Sequence, residues 1–161
     1  KKMKYIHIEI VEAEPEIANH STEKIKEGEE GMLVTCKSGY KHFVPKKVFD
    51  RRYLPIIPNP KLTKSDVSVS QDMVDRFISD VDPTTLRGKT TLVRCRLVNS
   101  FEINETSTCV DKSNYDQSVG CSVCMERIGN KIWEYLGFLL ATAAHGFERP
   151  MMSPEVSEIE E

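Results

Sequence analysis

Two cysteines separated by two residues form the sharpest chemical motif of the sequence, Cys121-Ser122-Val123-Cys124. Thiolates at this spacing can bind zinc, with Cys95 or Cys109 adding a further ligand. A structural zinc site usually has four ligands, however, and the sequence has no second C-x-x-C and no H-x-x-x-H pair. Both cysteines also fit an apolar helical stripe, where free cysteine packs as a small hydrophobic residue. The motif therefore favours core packing, with metal binding by Cys109, Cys121 and Cys124, or a redox role, as the alternative.

Basic and aromatic residues cluster between positions 40 and 52. The members of this basic cluster are Tyr40, Lys41, His42, Lys46, Lys47, Arg51 and Arg52. Lys47 and Arg51 are four residues apart and share one side of a predicted helix. Contacts to a partner or to phosphate, combined with stacking, are one interpretation, and a solvated helix face is the other. Arg94 and Arg96, on one face of a predicted strand, are a second pair of candidates.

Motifs of the common enzyme classes are missing. The sequence has no G-x-S-x-G, no P-loop, no dinucleotide fingerprint and no H-E-x-x-H. We therefore expect a protein without catalytic residues and without a cofactor. Trp133, the only tryptophan, is predicted to anchor the core beside Ile132.

The composition is typical of a folded, water-soluble protein, with 39% hydrophobic and 29% charged residues. Residues 1–57 carry 11 Lys and Arg against 9 Asp and Glu, whereas residues 58–161 carry 11 against 16. Neither part has the strong positive charge of a dedicated nucleic-acid-binding protein. No apolar run is long enough to cross a bilayer, and five cysteines without a secretory signal indicate a reducing compartment. We expect a cytoplasmic protein that does not interact with membranes.

The elements predicted to position the basic cluster form a small module over residues 3–57. Alternating isoleucines predict a half-buried strand over residues 3–13, and a polar loop or short exposed helix follows over residues 15–30. A hairpin over residues 32–44 and a helix over residues 46–53 complete the module.

Three prolines between positions 54 and 62 predict a stiff connector, and we place the linker at residues 58–62. A second module over residues 63–146 consists of a helix, a β-hairpin and a long helix. The first helix is predicted over residues 70–81. An acidic tail follows over residues 147–161.

The hairpin and long helix of the second module supply its predicted core. The hairpin spans residues 90–109, with Val93, Cys95 and Leu97 on its inner face. The long helix begins at Asn114 or Asp116 and extends to about Leu136. Its buried stripe is predicted to consist of Cys121, Cys124, Ile128, Ile132 and Leu136.

Residues 63–140 resemble a small tailed-phage family named after gene products forty-nine and sixty-six of two podoviruses. The matching features are Thr63-Lys64-Ser65-Asp66, Asn99-Ser100-Phe101, Cys109-Val110-Asp111, Asn114-Tyr115-Asp116 with Gly120, Lys131-Ile132-Trp133 and Gly137-Phe138. Most members have glycine at the hairpin tip, where this chain has Ser100. The resemblance implies a phage accessory protein with no assigned enzymatic role, which would act in the host cytoplasm.

Residues 3–57 resemble an add-on module found at the ends of various phage proteins. The features shared with it are Glu12-Ala13-Glu14-Pro15, Gly39-Tyr40 and Pro45-Lys46-Lys47-Val48-Phe49. A module that recurs on unrelated phage proteins implies a portable structural or recruitment role.

These patterns predict an α+β protein in which a Pro-rich linker joins a strand, hairpin and helix module to a helix, hairpin and long-helix module. The function expected first is binding of a host protein, which the chain would inhibit or redirect as a counter-defence factor against an antiviral nuclease or immune effector. A nucleic-acid or nucleotide-binding module and a small zinc protein are the alternatives. The sequence does not determine the oligomeric state.

Overall fold

The computed structural model of the chain describes residues 1–148. Within them, two three-stranded antiparallel sheets and three α-helices follow one another in the order β-β-β-α-α-β-β-β-α. This is the α+β class predicted from the sequence. Most of the predicted acidic tail, from residue 149 onward, lies outside the described residues.

The N-terminal sheet contains strands β1 (Glu12–Ile17), β2 (Glu30–Thr35) and β3 (Lys41–Pro45) in that spatial order. The β2–β3 hairpin confirms the predicted one, and Gly39 adopts the positive φ of +85° that its tight turn requires. Helix α1 (Lys46–Arg52) follows directly after Pro45 and packs on β2 and β3.

The strand predicted over residues 3–13 is wrong in position, because pairing begins only at Glu12. Ile8 and Ile10 are half-buried without belonging to a sheet, whereas all six residues of β1 are exposed. The isoleucines alternate because one side of this extended segment contacts the rest of the protein. β1 itself is an edge strand held by its backbone register with β2, a position that tolerates Pro15.

The C-terminal sheet contains strands β4 (Ile78–Leu86), β5 (Thr90–Leu97) and β6 (Glu102–Thr108), with β5 in the centre. Helix α2 (Gln71–Phe77) precedes it, and helix α3 (Gln117–His145) follows a short 3₁₀ turn. The hairpin predicted from the sequence is therefore two strands of a three-stranded sheet.

Strand β4 is absent from the sequence prediction, which continued the preceding helix to residue 81. The helix ends at Phe77 and the chain passes straight into the strand. Val81 fits a helical stripe, but it also faces the core when paired with Cys95 in the sheet. Pro83 occupies an edge strand, where the missing N–H is tolerated.

The core lies between the C-terminal sheet and α3. Val93, Cys95 and Leu97 are buried on the inner face of β5, as predicted. The predicted helix stripe is also confirmed: Cys124, Ile128, Ile132 and Leu136 are buried, and Cys121 is half-buried against the same core. Trp133 packs at its margin.

The segment between α1 and α2 contains neither helix nor strand. Ile56 and Ile57 pack against the core below the C-terminal sheet, so the first part of the proline-rich segment is anchored there. Its role as a stiff linker, and the module boundaries at residues 3–57, 58–62 and 63–146, stay predictions.

Candidate binding site

A cleft of about 910 Å³ lies between the N-terminal sheet and the end of α3. Segment 7–11 forms one wall, and Met32 of β2 and Cys36 directly after β2 form another. Phe49 and Tyr53, which are stacked with ring centroids 4.4 Å apart, close the α1 side. Leu139, Leu140 and Ala143 complete the lining from α3. The lining is largely apolar, and its volume lies in the range of about 300–1,000 Å³ typical of ligand sites.

A small polar group interrupts this apolar lining. Contact with the Cys36 thiol lowers the pKa of the Glu9 carboxylate. His7 Nε2 lies 3.6 Å from the same carboxylate. Burial raises the pKa of the Cys36 thiol, which disfavours the nucleophilic thiolate form.

His42 adds a further polar atom to the cleft lining. Its Nδ1 is the one buried side-chain nitrogen or oxygen of residues 1–148 that lacks a hydrogen-bond partner. The His42 ring stacks on Tyr40 with centroids 5.5 Å apart and planes 20° apart. Tyr40 is 66% exposed, so the outer face of this stacked pair is open to solvent.

Of the other members of the basic cluster, Arg52 alone lines the cleft. Lys46 forms an ion pair with Asp50 on α1. Arg52 contributes to the cleft lining, and Lys47 and Arg51 are exposed on the helix. Lys41 is also exposed and, by strand alternation, lies on the opposite face of the sheet from Tyr40 and His42. The predicted cluster is thus divided between two faces.

Arg94 and Arg96 belong to a different surface. Both project from the open face of the C-terminal sheet, where Arg94 pairs with Asp82 and Arg96 lies 3.2 Å from Glu102. Asp80 lines the same shallow depression. We call these five residues the charge ladder. The sequence places both arginines on one face correctly, but it does not reveal that acidic side chains of the neighbouring strands pair with them.

The cysteines of the C-x-x-C motif lie within α3. Cys124 is buried, and its pKa is raised by burial. Cys109 lies after β6, where its thiol donates to the Asp111 carbonyl at 3.1 Å. In the part of the chain that the structure describes, no three His, Cys, Asp or Glu side chains come together in an arrangement suited to a metal ion.

An exposed aromatic surface was not predicted from the sequence. Phe101 after the β5–β6 turn meets Tyr135 of α3 edge to face at 5.8 Å, and Phe138 beside it is 75% exposed. Tyr135 and Phe138 are three residues apart on α3 but lie outside the buried stripe. Aromatic residues at this spacing, away from the stripe, were the feature of the sequence that could have indicated an exposed aromatic surface.

Residues 66–144 match the family described as "Phage protein (N4 Gp49/phage Sf6 gene 66) family", over just under half of the chain. No curated protein and no solved structure matches the chain. Among residues 1–148, none of the helices has the length and apolarity needed to span a bilayer. The matched residues include the α3 side of the cleft, while the other walls precede them.

The family match confirms the resemblance predicted for residues 63–140. The add-on resemblance of residues 3–57 stays a prediction. The match supports a phage accessory protein, and residues 66–144 of this chain are similar to the N4 Gp49/phage Sf6 gene 66 family of phage proteins.

Proposed function

We propose that this phage accessory protein acts without catalysis in the host cytoplasm, where it binds a host protein and inhibits or redirects it. A component of antiviral defence, such as a nuclease or immune effector, is the kind of target. The cleft between the N-terminal sheet and α3 is the observation that carries this proposal. Its occupant would be a segment of the partner that carries apolar side chains.

The lining of the cleft supports a protein ligand. Apolar groups dominate the walls, and His7, Glu9 and Arg52 supply polar groups for orientation. Protein interfaces combine an apolar centre and a polar rim in this way. A partner seated in the cleft would contact both the phage-family segment and the preceding N-terminal sheet. This explains why the two would occur in one chain.

The state of the cleft thiol supports binding over catalysis. A nucleophilic cysteine needs a lowered pKa, supplied by a neighbouring cation or helix N-terminus. The pKa of Cys36 is shifted upward, by burial and by its contact with Glu9. The sequence also lacks the motifs of the common enzyme classes.

The proposal can be tested with two variants that each introduce one glutamate on α3. Leu139→Glu places a carboxylate in the cleft lining, whereas Val119→Glu places one at an exposed position near the other end of the helix. Wild-type protein is used to capture a partner from infected-host lysate. The purified partner is then titrated against all three proteins.

We expect wild type and Val119→Glu to bind with affinities within about twofold, and Leu139→Glu to bind at least about tenfold more weakly, because burying an unpaired carboxylate is costly. Addition of the wild-type protein should also change the activity of the partner. Equal affinity of all three proteins would show that the cleft is not the binding site. The absence of any saturable partner at micromolar concentration would refute host-protein binding.

A further inference from the structure

Strand β6 forms one edge of the C-terminal sheet, and its register shows which of its backbone groups point away from the sheet. In an antiparallel pair, residues that exchange hydrogen bonds with the neighbouring strand alternate with residues whose backbone groups point outward. The bond from the Cys109 N–H to the Lys89 carbonyl, at 3.0 Å, fixes this alternation between β5 and β6. The N–H and C=O groups of Asn104 and Thr106 therefore lie on the outer side of β6.

The other three sheet edges within residues 1–148 each carry a proline at an outward-facing position. Proline has no N–H to donate and is one of the residues that protect edge strands, so these edges resist the addition of a further strand. Strand β6 has no proline among its seven residues. The hydrogen-bond registers place the three prolines as Pro15 in β1, Pro45 in β3 and Pro83 in β4.

A side chain from α3 covers the β6 edge instead. Arg127 Nη1 donates a hydrogen bond to the Thr106 carbonyl at 2.9 Å, as the outward direction of that carbonyl requires. Arg127 is exposed and forms no ion pair with any of residues 1–148. Unlike a proline, an exposed side chain can rotate away, and the Thr106 carbonyl is then open to another strand.

The charges beside this edge favour an acidic ligand. Both carboxylates of β6 already have cationic partners, since Glu102 lies 3.2 Å from Arg96 and Glu105 is paired with Lys131. Arg127 is held only by a neutral carbonyl. A carboxylate that approaches from outside therefore meets a cation that lacks a carboxylate partner within residues 1–148.

We propose that the β6 edge binds an extended segment of a partner protein, which adds as a fourth strand and carries a carboxylate that pairs with Arg127. The carboxylate takes Arg127 from the Thr106 carbonyl, and this oxygen accepts a hydrogen bond from the new strand. Main-chain bonds to Asn104 and Thr106 supply affinity, as in other cases of β-strand addition. The site goes beyond the proposed cleft function and does not depend on it, because the cleft contacts α3 only from Leu139 onward.

A competing explanation is that Arg127 is a permanent shield. Charged side chains often protect edge strands from pairing with other chains. Under this explanation wild-type protein binds no strand, and removal of Arg127 opens the edge to any strand. The two explanations differ in whether Arg127 strengthens or prevents binding.

The test measures fluorescence anisotropy of a labelled peptide of about eight residues, a typical strand length, against the full chain. Threonine occupies alternate positions of the peptide, and valine with one central aspartate occupies the others. A second peptide has asparagine in place of the aspartate. Both peptides are titrated against wild type and Arg127→Ala.

Two proline variants test the edge itself. Thr106→Pro removes an outward N–H from β6, whereas Ile17→Pro makes the same change on β1, at a position that is 62% exposed. Amide exchange of wild type, with and without the aspartate peptide, provides a readout that does not depend on the folding of either variant.

We expect wild type to bind the aspartate peptide at least about threefold more tightly than the asparagine peptide. Arg127→Ala should bind both peptides equally. Thr106→Pro should weaken binding of the aspartate peptide at least about fivefold, and Ile17→Pro should change it less than about twofold. The peptide should slow amide exchange at Asn104 and Thr106, whose N–H groups point outward.

Any of four results would overturn the proposal. Binding of both peptides by Arg127→Ala but of neither by wild type would identify Arg127 as a shield. Equal affinity of wild type for the two peptides would remove the role of the carboxylate. Full affinity of a folded Thr106→Pro, or unchanged amide exchange at Asn104 and Thr106, would place the peptide elsewhere.

The fourth result is the absence of saturable binding of either peptide to any of these proteins. It would leave host-protein binding through the cleft untouched, since that proposal is tested by Leu139→Glu.

Discussion

The two sheets of this protein have the same number of strands but differ in how they are buried. The C-terminal sheet is covered by α3, and eleven buried side chains form a continuous cluster below it. In and around the N-terminal sheet, the buried apolar side chains are Ala18, Val34 and Val44. One sheet is therefore stabilised by a continuous core, and the other mostly by its backbone pairing and a short helix.

This difference separates stability from recognition. Side chains that fill a core cannot contact a partner, whereas the half-buried Met32, Phe49 and Tyr53 line an open cleft. Within residues 1–148 the charges follow the same division, since the arginines of the C-terminal sheet have carboxylate partners and those of α1 do not. We expect core variants of the C-terminal sheet to affect folding most, and variants around the N-terminal sheet to affect binding most.

The largest effect is expected for Ile132→Ala. Ile132 is fully buried between α3 and the C-terminal sheet, and truncation there leaves a cavity as well as losing apolar burial. We expect the free energy of unfolding to fall by about 3–4 kcal/mol in urea titrations. Val119→Ala, at a 61% exposed position of the same helix, is the control and should change it by less than about 0.5 kcal/mol. Similar values for both variants would refute the assignment of the core to this side of α3.

A smaller effect is expected where α3 begins. An added Cβ on Gly120 would clash with Thr91 Oγ1, and Thr91 is buried and hydrogen-bonded to the Tyr115 hydroxyl at 3.1 Å. Gly120→Ala should therefore lower the free energy of unfolding by about 1–3 kcal/mol through overpacking.

Gly129 provides the matched control in the same helix, because nothing lies within 4 Å of an added Cβ there. Gly129→Ala should raise the free energy of unfolding by about 0.5–1 kcal/mol, the usual gain in helix propensity. The two substitutions should therefore change the free energy of unfolding in opposite directions. A stabilising Gly120→Ala would contradict the close contact with Thr91.

Val34→Ala tests whether the two sheets unfold together. Val34 is fully buried in the N-terminal sheet, and removing two methyl groups should cost about 1–2 kcal/mol. Because the surrounding apolar contacts are few, we expect the N-terminal sheet to open locally more often. Amide exchange in β1 to β3 should therefore become faster. Exchange in β5 should stay close to wild type. Equal acceleration in β5 would mean that both sheets form one cooperative unit.

Most of the second module could be predicted because its periodicity follows directly from burial. The inner residues of β5 and the stripe of α3 each face one continuous core, so alternation and helical spacing identify them. Strand β4 could not be predicted in the same way, because Val81 contacts that core in either conformation. The early strand was misplaced because segment 7–11 is extended and half-buried against the cleft without strand pairing.

The candidate site was predictable only in part. The basic cluster and its aromatic neighbours are visible in the sequence, but the cleft requires segment 7–11, α1 and the end of α3 to meet. The pairing of Arg94 with Asp82 depends on the register of β4 with β5, and β4 was not predicted. Ser100 has a φ of +68° at the hairpin tip, a backbone conformation that favours glycine and that the sequence pattern does not reveal.

The smallest expected effect concerns the N-cap of α3 and its dependence on pH. The Asp116 side chain accepts hydrogen bonds from the Ser118 hydroxyl and from the backbone N–H groups of Ser118 and Val119. These bonds lower the pKa of Asp116 below its usual 3.8. Because the folded pKa is the lower one, the carboxylate contributes its full stabilisation above about pH 4–5, and loses it as the pH falls through the folded pKa.

Asp116→Asn can still cap the helix but does not titrate. The variant should therefore be slightly less stable than wild type at pH 7, and the difference in unfolding free energy should shrink towards pH 2. A difference that stays constant over this range would show that the charge of Asp116 does not contribute to the cap.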